Sequence, residues 1–292
     1  MPIASSDAAP SVSIVIPTRN AAVHLAACLA SLDVESVAFE VIVVDQESSD
    51  GTQDLAVRAG ATLIEVEPTP VYSPPARSRN AGAAVARGEY LLHLDADMAF
   101  TRPWLAEAIG LCEHGDVALV LEEVDVASGY WAKCKALERR AYRRSPLEGA
   151  RFVRTAVFRE VGGYDEMVGS GEDWDIHARY RVHGSIGRVS NAVLHRLERM
   201  SFGGQIRKKF GYGRSAVAFT AKPEARGLPG AMLKAYAGSW RAFAEDPSHA
   251  AGFVALRVGE VAALTAGATY EDLWRRHGSR VQRRAREHRL GP

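Results

Sequence analysis

The chain has 292 residues, 47% hydrophobic and 24% charged, with a formal net charge of +1. That length suits one large α/β domain with an appendage, or two domains, and the composition is that of an ordinary soluble globular protein without the bulk polarity of a nucleic-acid binder. Charge is nonetheless uneven: residues 200 to 292 hold 16 Lys plus Arg against 7 Asp plus Glu, and residues 1 to 199 hold 20 against 28. A basic tail half attracts phosphates or anionic lipid, or simply forms a solvated helical surface. Cys28, Cys112 and Cys134 have no zinc-like spacing and read as buried thiols in a reducing compartment. Met1 to Pro10 lacks a signal-peptide pattern and reads as a flexible lead. No window reaches the roughly 18 uncharged apolar residues that span a bilayer. The expected location is cytoplasmic, with peripheral contact at the inner face of the membrane left open.

In chain order, Val12 to Pro17 is a β-branched run that predicts a buried first strand, and Ala21 to Leu32 an amphipathic helix. Glu40 to Val44 predicts a second strand, Asp45 to Gly51 a polar turn and Thr52 to Ala59 a helix that Thr52 or Asp50 caps. Thr62 to Val66 predicts a third strand, and Pro68 to Pro75 is too proline-rich for regular structure. The small residues Ala81, Gly82, Ala83 and Ala84 predict a helix pressed closely against its neighbours. Strands alternating with helices at this spacing predict a doubly wound, mostly parallel sheet.

The chain is organised around Tyr90-Leu91-Leu92-His93-Leu94-Asp95-Ala96-Asp97, an apolar strand ending in two carboxylates. In open α/β sheets ligands collect outside the carboxyl ends of the strands. If the backbone stays extended, Asp95 and Asp97 project to one side, as hard oxygen donors for a divalent cation; a turn that bonds its own amides is the alternative. Beyond it, a helix from Pro103-Trp104 to Glu113, a strand over Val117 to Leu121, a basic helix over Tyr130 to Arg144 and a short strand at Phe152 to Arg154 are predicted. Gly169-Ser170-Gly171-Glu172-Asp173-Trp174-Asp175 opens a helix to about Gly184. Three acids there suit the helix dipole, and their company of glycines and a Trp also suits a functional loop. Short strands at Ile186 to Val189 and Ala192 to His195 close the main domain, giving segments 1–10, 11–200 and a helical, basic 201–292.

Val15 to Asn20, Val43-Val44-Asp45 with Ser48 to Thr52, Arg79 to Gly82, Asp95-Ala96-Asp97 and Gly171-Glu172-Asp173 occur in an order that resembles the family-two inverting glycosyltransferases of the GT-A fold. The resemblance covers residues 12 to about 200. It implies a hexosyltransferase that moves a sugar from a nucleotide-diphosphate donor to an acceptor hydroxyl by direct displacement, with Mn²⁺ or Mg²⁺ as cofactor. By this resemblance Asp97 is a metal ligand, Asp95 contacts the ribose or supports the metal shell, and His195 completes the metal site. Asp173 is the implied general base, with Asp175 its competitor, and Glu172 positions the acceptor or the loop. Pro17, Thr18, Asn20, Asp45, Gln46 and Arg79 are implied nucleotide contacts.

Gln46 departs from the pattern, because many uridine-using relatives carry an acid there. An amide both donates and accepts, so UDP, GDP and TDP sugars all remain candidate donors. The acceptor is open between a lipid-linked molecule and a small natural product, and the C-terminal helices between membrane, acceptor and homodimer contact. The rival readings are a non-catalytic nucleotide-sugar or partner-binding module and a nucleotidyltransferase. The intact acids disfavour the first, and the absence of a glycine-rich signature after the first strand disfavours the second.

Overall fold

In the computed structural model of the chain, residues 9–68, 75–145, 147–168, 171–197 and 200–289 are described. Most of the N-terminal lead, the centre of the proline-rich segment and Gly169-Ser170 lie outside them. The first half alternates strand and helix: β1 Val12–Thr18, α1 Ala22–Ser31, β2 Phe39–Asp45, α2 Thr52–Arg58, β3 Thr62–Glu65, α3 Ala76–Val85 and β4 Tyr90–His93. After β5 Met98–Phe100 and α4 Leu105–Glu113 come β6 Asp116–Ala127, α5 Tyr130–Tyr142, β7 Ala150–Arg154, α6 Thr155–Glu160, α7 Glu172–His183 and β8 Ser185–Leu197. The C-terminal part is helical: α8 Phe202–Thr220, α9 Leu228–Gly238, α10 Trp240–Glu245 and α11 Pro247–Arg289.

The strands form one sheet in the order β3-β2-β1-β4-β7-β6-β8-β5. Pairing is parallel from β3 through β4 and between β6 and β8, and antiparallel where β7 meets β4 and β6 and where β5 meets β8. Successive residues of β1 feed opposite layers, as the two-residue period of a strand requires. Ile14 and Ile16 pack with Leu25, Leu29, Leu105 and Cys112 from α1 and α4 on one face. Val15 packs with Ala83, Ile176 and Tyr180 from α3 and α7 on the other. Both faces are thus covered, which is why the central strands are near-continuously apolar.

Several predicted boundaries are corrected. The predicted strand at Val117 to Leu121 continues through Glu122, Glu123, Val124 and Asp125, with a register shift against β8 between Leu121 and Glu123. Acids that look like a strand end are instead alternate residues of a strand crossing the site. The two strands expected around Ser190 are one, β8, held by β6 along its length and by β5 from Val193 to His195. The three-residue β5 and the six-residue α6 are too short to carry a periodic signal. Within the helical C-terminal region the chain breaks at Ser239 between α9 and α10.

All three cysteines are buried and free, and burial pushes the Cys112 thiol up to about 11. The C-terminal helices pack on the α/β unit: α11 runs against α8 and α5, and α9 against α5. The α8–α11 contact is backbone to backbone, since a Cβ on Gly213 would meet the Leu264 carbonyl oxygen at 2.1 Å and one on Gly267 the Phe210 carbonyl oxygen at 2.1 Å.

The small-residue helix α3 does press against the sheet. A Cβ on Gly82 would lie 2.4 Å from Cγ1 of Val15 and 3.0 Å from Cγ2 of Val44. Gly82→Val therefore overpacks the α3–sheet layer that carries Arg79, and we expect a loss of roughly 1–3 kcal/mol, read as a lowered denaturant midpoint at unchanged slope.

Candidate active site

At the carboxyl end of β4 the backbone turns. Asp95 lies two residues past the strand, and the Met98 amide donates to its carbonyl at 3.0 Å. Of the two arrangements the sequence leaves open, an extended pair or a turn, the chain takes the turn, and each Asp engages different partners. Asp95 faces Arg79 and Arg151, whereas the Asp97 carboxylate faces His195, with Nε2 at 3.4 Å from Oδ2.

Arg79 is 1% exposed, and its guanidinium lies 5.2 Å from the Tyr164 ring centre. Its Nη1 donates to Asp173 Oδ1 at 2.8 Å and its Nη2 to Asp95 Oδ1 at 2.9 Å, with Glu172 at 3.7 Å. Arg151, from β7, repeats the bridge: Nη2 stands 3.1 Å from Asp95 Oδ2 and 3.8 Å from Asp173 Oδ2, while Nε stands 3.4 Å from Glu123 Oε1. Burial alone would raise the Asp95 carboxyl, but the Arg151 and Arg79 guanidiniums hold it well below the usual carboxylate range.

His195 reaches the same cluster from β8. Its Nδ1 stands 2.7 Å from Glu123 Oε2, which Arg139 of α5 also contacts, and Arg139 Nε donates to Asp125 at 2.8 Å. With Nδ1–H donated to Glu123, Nε2 is the ring nitrogen that faces Asp97. Although burial opposes it, hydrogen bonds to Asp97 and Glu123 push the imidazole up to about 9. Glu123 is held down at about 2, against burial, by Arg139 and by the His195 hydrogen bond. Glu123, Asp125 and His195 each offer one ligand atom within 4.8 Å of the others, a group that could hold a metal ion.

Asp173 is in the first turn of α7, entered through Gly171 at φ 91°, and its side chain is 29% exposed. Gly149 allows this turn to approach, since a Cβ there would meet the Asp173 Cβ at 2.9 Å. Trp174 Nε1 donates to the Leu147 carbonyl at 2.7 Å and pins the same turn. Asp175 turns away: it is 1% exposed and is paired with Arg179 at 2.7 Å and Lys222 at 2.5 Å. Burial and the neighbouring Asp173 charge push Glu172 up to about 7.

These groups surround a cavity of about 530 Å³, lined among others by Asp95, Asp97, Glu123, Asp125, Glu172, Asp173 and His195, with Arg79, Arg139 and Arg151 between them. Lys208, Lys209 and Tyr212 of α8 form another part of the wall, so the basic C-terminal region contributes to the site. Burial draws the Lys209 ammonium down to about 8.

Pro17, Thr18, Asn20, Asp45 and Gln46 are not among the cavity's lining residues. They stand at the carboxyl ends of the adjacent β1 and β2, with Thr18 in register with Asp45. Asp45 is buried and accepts from Thr18 Oγ1 at 2.8 Å, from the Ser48 amide at 2.8 Å and from Gln53 Nε2 at 2.9 Å. Asn20, at φ 50°, accepts from the Ser49 amide at 2.9 Å, and Gln46 Nε2 donates to Ser78 at 2.9 Å. Asp50 receives the Ala22 and Thr52 amides, so one carboxylate closes the starts of α1 and α2.

Glu123, Asp125, Arg139 and Arg151 are not foreseen from the sequence, whereas α8 belongs to the C-terminal helices for which acceptor contact is one of the open readings. One signal was present: Glu123 and Asp125 alternate with Val124 and Val126, the i, i+2 acid pattern of a strand with one polar side. Arg139 and Arg151 carry no comparable mark.

Residues 13–164 match the family model described as Glycosyl transferase family 2. The chain belongs to that family. It is a glycosyltransferase by this membership and by its relatives: it is 35% identical over 185 residues to the PGL/p-HBAD biosynthesis glycosyltransferase of Mycobacterium bovis, covering 59% of this chain and 70% of that one. Among solved structures, the mannosyltransferase PcManGT from Pyrobaculum calidifontis matches at a TM-score of 0.57 and 20% identity, over 91% of this chain and 88% of that chain. TarS of S. aureus matches at a TM-score of 0.51 and 17% identity, covering 89% of this chain and 55% of TarS. At these identities the structural matches establish the GT-A fold alone.

Glu172 gives a stability test with a definite sign. Its carboxyl is raised from 4.5 to about 7 in the folded chain, so the stability tied to its protonated form is complete below pH 4.5 and lost as pH rises through about 7. Glu172→Gln should match the wild-type melting temperature below that window. Above it, the variant should exceed wild type by roughly 1–3 kcal/mol.

Proposed function

We propose that the protein moves a sugar from a nucleotide-diphosphate donor to an acceptor hydroxyl by single displacement with inversion, assisted by a divalent cation. The observation that carries this reading is the Arg79 bridge, which holds Asp95 and Asp173 at 2.9 and 2.8 Å from one guanidinium on the wall of one cavity. Direct displacement needs a base on the acceptor side and charge management on the donor side, both in fixed relation. PcManGT has been solved with GDP-Man and Mn²⁺, and TarS residues 1–349 with UDP, which supports a nucleotide-sugar donor. UDP, GDP and TDP sugars are all compatible with an amide at Gln46.

The donor set fits a hard divalent ion such as Mn²⁺ or Mg²⁺. Asp97 is 40% exposed, and among the described residues its carboxylate meets only His195 Nε2. Asp97 and His195 would hold the ion, with Glu123 fixing the imidazole tautomer from behind. Arg139 already neutralises Glu123 and Asp125, which favours Asp97 over that pair as the open carboxylate. A bound cation supplies electrostatic stabilisation of a departing diphosphate.

The chain's own residues do the rest. Asp173 accepts the proton of the acceptor hydroxyl, and Arg79 and Arg151 keep its carboxylate oriented. Glu172 shapes the acceptor side. Pro17, Thr18, Asn20, Asp45 and Gln46 form the nucleoside end, held by the hydrogen bonds between the β1 and β2 loops, and Asp95 lies between that end and the base.

Asp173→Asn preserves shape and removes proton acceptance. Sugar turnover, read as nucleoside-diphosphate release, should fall by about 10²–10⁴-fold with metal-dependent donor binding retained. Asp97→Ala should instead weaken donor binding in the presence of Mn²⁺, measured by titration calorimetry. Turnover by Asp173→Asn at the wild-type rate would exclude Asp173 as the base.

A further inference from the structure

Helix α11 is built inside out over its first half. Between Ala250 and Thr269 its only charged residues are Arg257 and Glu260, and both point into the protein. Glu260 is 0% exposed and meets Lys135 of α5 at 3.3 Å, while Arg257 meets Glu260 at 3.2 Å and also contacts Glu138. The outward face carries Val254, Val258 and Val261 at 56%, 65% and 52% exposure. Their spacing of four and three residues makes one continuous stripe. Pro247–Trp274 is long and apolar enough to cross a membrane, yet only 33% of its most apolar window is buried.

Water is a poor solvent for such a face, and the inner face shows that the helix does not cross a bilayer. The ion-paired side lies against Lys135 and Glu138 of α5, and α8 is packed backbone to backbone along α11. Spanning would carry this charged, protein-covered side into hydrocarbon. A helix with one packed side and one apolar side instead lies in the plane of an interface.

We propose that the outer face of α11 docks on a lipid bilayer carrying anionic headgroups. Charge complementarity selects this occupant. Beyond Trp274 the sequence continues Arg275-Arg276 and then Arg283-Arg284-Ala285-Arg286, with Glu287 the only acid from 275 to 289. Basic residues immediately following an apolar face match an anionic membrane surface. The inference is independent of the donor, the base and the metal.

The test is flotation of the full-length protein with phosphatidylcholine vesicles prepared with and without phosphatidylglycerol. Wild type should float with the anionic vesicles and remain below the neutral ones, with binding weakened by salt. Val258→Asp/Val261→Asp should lower partitioning by about tenfold or more at an unchanged melting temperature, since both sites are solvent-facing. Arg283→Gln/Arg284→Gln/Arg286→Gln should reduce the preference for anionic vesicles. Wild type that stays with the unbound fraction under all lipid conditions overturns the proposal. So does a Val258→Asp/Val261→Asp protein that floats like wild type. Conversion of a dimer to a monomer by that substitution, with flotation unchanged, would assign the face to a second copy instead.

Discussion

Burying a guanidinium costs several kcal/mol unless it is paired, and Arg79 gives both terminal nitrogens to carboxylates from distant parts of the chain, with Nε alone lacking a partner among the described residues. Asp95 comes from the turn after β4 and Asp173 from the start of α7, a separation of 94 residues between Arg79 and Asp173. Arg151 bridges the same two acids from β7 and adds Glu123 from β6. These arginines set the distance between the donor-side acid and the proposed base. They also explain how so many carboxylates share one cavity without mutual repulsion opening it.

The fold supports this arrangement from below and behind. The glycine-thinned helix α3 lies directly on Val15 and Val44, so Arg79 is fixed relative to the ends of β1 and β2, where the nucleoside is proposed to sit. The turn that carries Asp173 is fastened at Gly149 and through Trp174 to Leu147. On the far side, α8 adds Lys208 and Lys209 to a cavity wall where acids and arginines already stand side by side. The uneven charge along the chain thus becomes, in three dimensions, basic groups meeting acidic ones across one cavity.

What the sequence revealed follows from how local each signal is. The strands β1, β2 and β4 were legible because each is an apolar run stopped by Pro17, Asp45 or the Asp95 turn, and α3 because its small residues announce close packing. Asp95 and Asp97 stand out as paired acids ending an apolar strand, Asp173 and His195 through a family resemblance, and the structure brings all four to one cavity. Glu123 and Asp125 carry no clear signal beyond their alternation, because acids inside a strand such as β6 look like its boundary. Arg151 sits on an antiparallel strand and Arg139 on a basic helix, and neither has a local pattern distinguishing a buried bridge from a solvated charge. Their role exists only in contacts between residues far apart in sequence, such as His195 with Glu123 at a separation of 72.

The central claim is that this acidic, arginine-braced cavity binds a nucleotide sugar with a divalent cation. The most direct measurement is the melting temperature of the wild-type protein with UDP, GDP, TDP and their common sugars, each with and without Mn²⁺ or Mg²⁺. A ligand that binds only the folded chain raises that temperature. The account predicts stabilisation by one nucleotide class that depends on the metal and is lost in Asp97→Ala. No shift with any nucleotide under either metal condition would contradict it.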